Sequence, residues 1–224
     1  MPSANAQIKI EIPFILEEAI KDQRAVIVIG AGASKECVNE SGQTPPDGNQ
    51  LRDLIAEKFL GKKPGTEKRD LMTVSEIAIS SGAGSAAVFD EIEFHLRDFR
   101  PSQAHKALAH FRWRGLATTN YDLYVEQAYA EEQNATQTCV PFVKDSEPFD
   151  DRLKRERKPV PYLKLHGCLN HRLDRDIPLV LSHEHYARVA EHRSFLLNRV
   201  RQWAAESPVI FIGYSLTDSH IRQL

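Results

Sequence analysis

The chain alternates between short uninterrupted apolar runs and longer stretches in which apolar positions recur every three or four residues. The clearest run is AVIVI at 25–29, β-branched throughout, the pattern of a strand buried on both faces of a parallel sheet. It stops at a glycine turn, Gly30-Ala31-Gly32-Ala33-Ser34. After a polar loop holding Gly42, Pro45, Pro46 and Gly48, the residues Leu51, Leu54, Ile55 and Phe59 repeat at helical spacing. From 70 to 110 the pattern stays helical. Leu71, Val74, Ile77 and Ala78 share one face, and Val88, Phe89, Ile92, Phe94 and Leu96 form a second segment beyond Gly82 and Gly84. Pro101 opens a further helix. Strand signals return at 115–118, 138–143, 162–165, 178–181 and 208–212, and a helix runs from about Asp122 through Val125 and Ala128. One long amphipathic helix over 183–205, N-capped by Ser182, joins the last two strands.

Strands alternating with helices predict a doubly wound α/β architecture, a mostly parallel Rossmann-like sheet with a small helical insert or cap over 65–112. The chain is long enough, at 224 residues, to bury one large core without disulfides or metals. Residues 1–224 are read as one domain, and because the sequence stops at Leu224 inside a helical pattern, a longer polypeptide is expected. The charge run FDDRLKRERK at 149–158 reads as a solvated surface.

Composition narrows the function classes. Lys and Arg total 29 against 31 Asp and Glu, a net charge of −2, which gives no reason to expect direct nucleic-acid binding. Trp113 and Trp203 read as core residues, since no aromatic ladder for single strands accompanies them. The three cysteines, Cys37, Cys139 and Cys168, are widely separated and form no CxxC pair, as expected of reduced thiols in a cytoplasmic protein and not of a zinc ribbon. No basic leader precedes an apolar run and no window approaches eighteen apolar residues, so membrane spanning and secretion are not expected.

Ligands of parallel α/β sheets bind beyond the carboxyl ends of the strands. Four polar clusters fall there: Gly30 to Ser34, Thr119 to Asp122, His166-Gly167, and Gly213 to Asp218. Each has an ordinary reading beside the functional one. GAGAS lacks the third glycine of the dinucleotide fingerprint, since Lys35 stands there, and can be a tight turn or a diphosphate cradle. Asn120 and Asp122 can cap the following helix or border a ligand, and a carboxamide such as Asn120 can hold a ribose hydroxyl and a water together. His166 can be a packed ring, a catalytic group, or a metal ligand with Cys168 and His171, although that spacing matches no common zinc pattern. The HEH at 183–185 lacks the HExxH spacing and reads as a solvated first turn.

Taken in order, GAGAS, TTNYD at 118–122, KLHG at 164–167 and GYSLTD at 213–218 resemble the Sir2 family, and more narrowly the Sir2-like branch of bacterial antiviral systems. The resemblance runs from about Ala25 onward. It implies NAD as the substrate, with Gly30, Ala31, Gly32 and Ser34 at the diphosphate. Asn120, Asp122 and His166 would surround the nicotinamide ribose, flanked by Thr119. Gly213, Ser215 and Asp218 would lie towards the adenosine side. The four-cysteine zinc module of the deacetylases cannot be built from these cysteines, and the GxPDFR-like segment is not intact, its nearest counterpart being Gly42-Gln43-Thr44-Pro45-Pro46-Asp47. The resemblance therefore implies an NAD glycohydrolase, with no metal expected. Because uncontrolled NAD loss would harm a host, its activity is expected to be gated by an activating partner, by a C-terminal region beyond this sequence or by homo-oligomerisation. The alternatives are an NAD or ADP-ribose sensing module and a transferase or deacylase acting on protein.

Overall fold

The computed structural model describes residues 11–174, 179–216 and 218–222. Five strands form one all-parallel sheet: β1 (Val26–Ile29), β2 (Gly115–Thr118), β3 (Thr138–Phe142), β4 (Pro159–Lys164) and β5 (Val209–Ile212), in the order β3-β4-β2-β1-β5. The expected α/β class is what the structure has. From β1 the chain builds outward on one side through β2, β4 and β3, then crosses to place β5 on the other side of β1. Sequence order thus reverses at β1, which makes the loops beyond β1, β2 and β5 the switch-point crevice of the sheet.

Alternation along each strand produces the layers. Val26 and Val28 of β1 join Ala117, Phe142 and Leu163 on one face, while Ile27 and Ile29 join Leu116, Val160 and Tyr162 on the other. The first face is covered by α9 (Ala190–Glu206) through Leu196, Leu197, Val200 and Trp203. The second is covered by α1 (Phe14–Lys21), α5 (Gln103–Leu108) and α6 (Tyr124–Glu131), with Trp113 filling the corner. Each fully buried Ile or Val here contributes about 1.5–3 kcal/mol, which is why both faces of β1 are closed.

Helices α2 (Gly48–Leu60), α3 (Leu71–Ala78) and α4 (Gly84–Leu96) form a separate apolar cluster that meets Leu169, Leu179 and Leu181, from the chain beyond β4. Asp47 starts α2 with a capping box closed by Gln50, and Gly61 in the left-handed region ends it. A wide turn over Ile79–Ala83 joins α3 to α4. By length and composition Leu71–Leu96 is apolar enough to cross a membrane, but Gly82 and Gly84 at positive φ break it and Val74, Ala78, Val88 and Ile92 pack against α2 and its neighbours.

Two expectations fail for long-range reasons. No strand forms over 179–181, and Pro178 lies outside the described residues. Leu179, Val180 and Leu181 are buried as predicted, yet Val180 N–H donates to the carbonyl of His166 at 2.9 Å instead of entering a ladder. The long helix over 183–205 is two helices, α8 (His183–Ala187) and α9, and α9 itself kinks at Arg193 (φ −136°). Asp145, from the loop after β3, accepts the N–H groups of Phe195 at 2.9 Å and Leu196 at 3.1 Å, acting as a helix cap supplied from elsewhere in the chain. Ser182 does cap α8, accepting from His185 N–H at 3.2 Å. The charge run at 149–158 contains α7 (Phe149–Lys154), anchored by Phe149 against Phe142 at 4.4 Å between ring centroids.

Candidate functional site

All four strand-end clusters lie at the carboxyl end of the sheet, and three contacts between residues distant in sequence join them: Ser34 with Asp122, the glycine turn with Gly213, and His166 with Asp218. Gly30 is the first link. Beyond it the turn winds into a short 3-10 helix, Ala31–Glu36, which buries the Ser34 hydroxyl and points it at Asp122 Oδ2, 3.3 Å away. The turn is also clamped to the loop after β5: Gly30 N–H donates to Ile212 O at 2.9 Å and Gly32 N–H to Gly213 O at 2.8 Å. A Cβ on Gly30 or Gly32 would stand 2.6 or 2.7 Å from the Gly213 carbonyl oxygen, and one on Gly213, at φ +61°, would collide with the Ala33 backbone. The three glycines therefore serve a close contact between two loops. The Gly30 and Gly32 N–H groups are thereby occupied within the protein. Ala31 stays exposed at the tip.

Beyond β2, the Thr118 hydroxyl donates to Ile29 O at 2.8 Å and accepts Asn120 N–H at 2.9 Å, which fixes the path of Thr119 and Asn120, both half-buried. Asp122 is buried and accepts Tyr124 N–H at 3.2 Å, so the capping role and the site position coincide. Burial raises its carboxyl above the ordinary range, against the pull of Lys164 and of hydrogen bonds from Tyr124, Ser34 and Asn120.

Lys164 and His166 leave β4 two residues apart. Lys164 has no exposed side-chain surface; its Nζ donates to the Asp122 carbonyl and to Glu126 Oε1, the latter at 2.8 Å. Burial would depress its pKa, but Glu126, Cys168 and Asp122 together outweigh that and raise it, so the ammonium stays charged. Thr118 of β2 pairs with Lys164 of β4, and Asn120 and His166 each lie two residues past that pair, in the loops that follow these adjacent strands.

His166 is 94% buried, being 6% exposed. Its Nε2 lies 3.2 Å from Asp218 Oδ2, close enough for an ion pair but not aligned as a hydrogen bond, so the nitrogen has no hydrogen-bond partner among the described residues. Burial lowers its pKa to about 4; Asp218 opposes the shift, and His220 and the buried Arg193 add to it. The ring is therefore neutral at pH 7. Strands β4 and β5 are separated by β2 and β1, so the contact is made above the sheet, where the segment after β5 folds back over His166. Asp218 thus stands beside the histidine and also caps the start of the last helix, where its Oδ1 accepts the N–H groups of His220 and Ile221. Gly213 meets the glycine turn, and Ser215 is exposed.

Sequence reasoning missed several neighbours of this ring. Tyr186 of α8 packs edge-on against His166 at 5.4 Å and stacks on His220 at 4.1 Å. The Tyr121 hydroxyl donates to Val180 O at 2.7 Å, tying the 179–181 segment to the site. Tyr186 lay in the helix expected over 183–205, and His220 just past the last recognised cluster; proximity across 20 to 54 residues leaves no local signal. His171 and Cys168 do not join His166. Cys168 is buried with Val143, and His171 lines a cavity of about 1130 Å³ beside the β3 edge with Arg112, Glu126 and Arg157. No predicted site residue lines that cavity.

A cysteine metal site is absent among the described residues: Cys37 is buried 3.7 Å from His105 Nδ1, with its thiol pushed up to about 11 chiefly by burial, while Cys139 lies on β3 and Cys168 beyond β4. A search of curated proteins returns no match to the chain. The family model described as SIR2-like domain matches residues 114–224, the part running from β2 through α10 (Ser219–Arg222) and holding Asn120, His166 and Asp218, and this match supports a Sir2-like assignment and an NAD-related function for that part of the chain.

Proposed function

We propose that the chain is an NAD glycohydrolase that cleaves the nicotinamide–ribose bond to release nicotinamide and ADP-ribose. The observation that carries this reading is a buried, neutral imidazole, His166, in the loop after β4, with Asn120 in the loop after the adjacent β2, within a region that matches a SIR2-like family model. Nicotinamide leaves a cationic pyridinium as a neutral molecule, so no acid is needed for departure. The site has to stabilise an oxocarbenium-like ribose and place a nucleophile. Asn120 orients the ribose or the attacking water. His166 takes the proton, either from that water or through a ribose hydroxyl, and Asp218 at 3.2 Å stabilises the imidazolium as it forms. Asp122 and Ser34 hold the Asn120 loop against the glycine turn.

Because His166 is covered by the segment after β5, NAD reaches it only when that segment moves aside. Such covering suits an effector whose NAD consumption is held in check until a partner or a second copy opens the site, as antiviral defence in a cytoplasm requires. It equally suits the second reading, a module that binds NAD or ADP-ribose without cleaving it. Following free nicotinamide from the full-length protein in its assembly, with and without the activating signal, separates the two. Signal-dependent release supports cleavage. Saturable NAD binding with no release in the activated assembly rejects cleavage in favour of sensing, and release that requires an acylated peptide points to a deacylase.

A further inference from the structure

Three side chains from two loops converge beyond the sheet: His166 after β4, and Asp218 and His220 at the start of α10. One donor atom from each lies within 4.8 Å of the others. Asp218 Oδ2 is 3.2 Å from His166 Nε2, and Asp218 Oδ1 is 4.0 Å from His220 Nδ1. Both of these imidazole nitrogens are buried without a hydrogen-bond partner among the described residues. An orphaned buried polar atom is costly, and here two of them face one carboxylate. The carboxylate is itself held in place, since its Oδ1 accepts the N–H groups of His220 at 2.9 Å and Ile221 at 3.2 Å, which leaves Oδ2 towards His166. Tyr186, stacked on His220 with an interplanar angle of 12° and edge-on to His166, fixes the planes of both rings.

Two imidazole nitrogens and one carboxylate oxygen suit a borderline-soft divalent ion of the zinc class, and not magnesium or calcium, which take oxygen ligands. Metal–nitrogen bonds of about 2.0–2.1 Å set tetrahedral donors roughly 3.3 Å apart. The His166–Asp218 pair already has that spacing, and with one donor atom from each residue within 4.8 Å of the others, His220 closes in by about 1.5 Å at most to complete the set. We propose that His166, Asp218 and His220 form an inhibitory binding site for a divalent transition-metal ion of the zinc class, with the fourth position left to water. The binding claim stands on these three residues alone. The inhibitory consequence rests on the proposed NAD cleavage: an ion on Nε2 occupies the lone pair that would accept the proton and pins the covering segment over the ring.

The test is calorimetric titration of chelator-treated full-length protein with Zn²⁺, paralleled by Co²⁺ and its visible absorption. One equivalent is expected to bind, with Co²⁺ bands of a low-coordinate nitrogen-oxygen site. H220A and H166A are each expected to weaken binding beyond the roughly 10–100-fold that loss of an outer-shell partner costs, with unchanged circular dichroism. Cys37→Ser, which alters the other buried thiol–imidazole pair, is expected to bind like wild type. In the activated assembly, Zn²⁺ should inhibit nicotinamide release with the midpoint seen in the titration, and H220A should shift that midpoint upward relative to its own metal-free rate. No saturable binding to wild type, or binding that survives H166A and H220A, overturns the site whatever the protein does to NAD. Stoichiometric binding lost in both variants upholds the site even if nicotinamide is never released, in which case only the cleavage reading fails.

Discussion

Lys164 and His166 are two residues apart at the end of one strand and both are buried, yet their surroundings drive them in opposite directions. Lys164 has two acceptors, Glu126 and the Asp122 carbonyl, and keeps its charge. His166 has an unpartnered nitrogen facing Asp218 and loses its charge to burial. A buried ion with its hydrogen bonds filled is architecture, because removing it leaves its partners stranded. A buried base with an unpartnered ring nitrogen is reactive capacity held at some cost to stability.

The largest expected effect separates the two in function. H166A should lower nicotinamide release by the 10²–10⁴-fold typical of a lost general base while leaving unfolding transitions near wild type; a variant that loses fold and turnover together would make His166 another Lys164. The matching change on the structural side is K164A, which strands the Glu126 carboxylate and should cost roughly 3–5 kcal/mol in urea unfolding. A cost below about 1 kcal/mol would show that Lys164 is not the tie between β4 and α6.

Gly213→Ala tests the clamp between the β1 and β5 loops. A left-handed φ and an overlap with the Ala33 backbone should together cost a few kcal/mol, read as a drop in melting temperature. Unchanged melting would mean that the two loops separate freely.

The pH dependence is smaller. Below about pH 6.5 the unfolded chain protonates this imidazole, whereas the folded chain resists until about pH 4, so His166 makes stability fall as pH drops through that window. Asp122, raised by burial, has the opposite slope above the ordinary carboxylate pKa, favouring the fold less as pH rises. Comparing wild type with H166Q isolates the histidine: the variant should lose less stability between pH 6.5 and 4, and identical slopes would place the ring in water. The smallest effect is S182A, where loss of the α8 cap should cost about 1 kcal/mol.

The same contrast marks what the sequence could reveal. Strands were legible because burial on both faces of a parallel sheet leaves nearly unbroken apolar runs, and Val26 to Ile29 shows this most plainly. The run at 179–181 misled because burial alone does not say whether the neighbour is a ladder or, as here, the helical cluster of α2, α3 and α4. The kink at Arg193 depends on Asp145, 48 residues earlier by number, and periodicity has no access to such a cap. Asn120, Asp122 and His166 stood out because polar residues at strand ends break a strong pattern. The meeting of His166 with Asp218, His220 and Tyr186 depends on how the chain folds back over the sheet after β5, and strand order is not written in any local window.

Single-turnover release of nicotinamide from NAD by the activated full-length protein, run side by side for wild type, N120A and H166A, tests the central claim most directly. The account predicts release by wild type and its loss in both variants, with NAD still bound and circular dichroism unchanged. Release by H166A at the wild-type rate would contradict it.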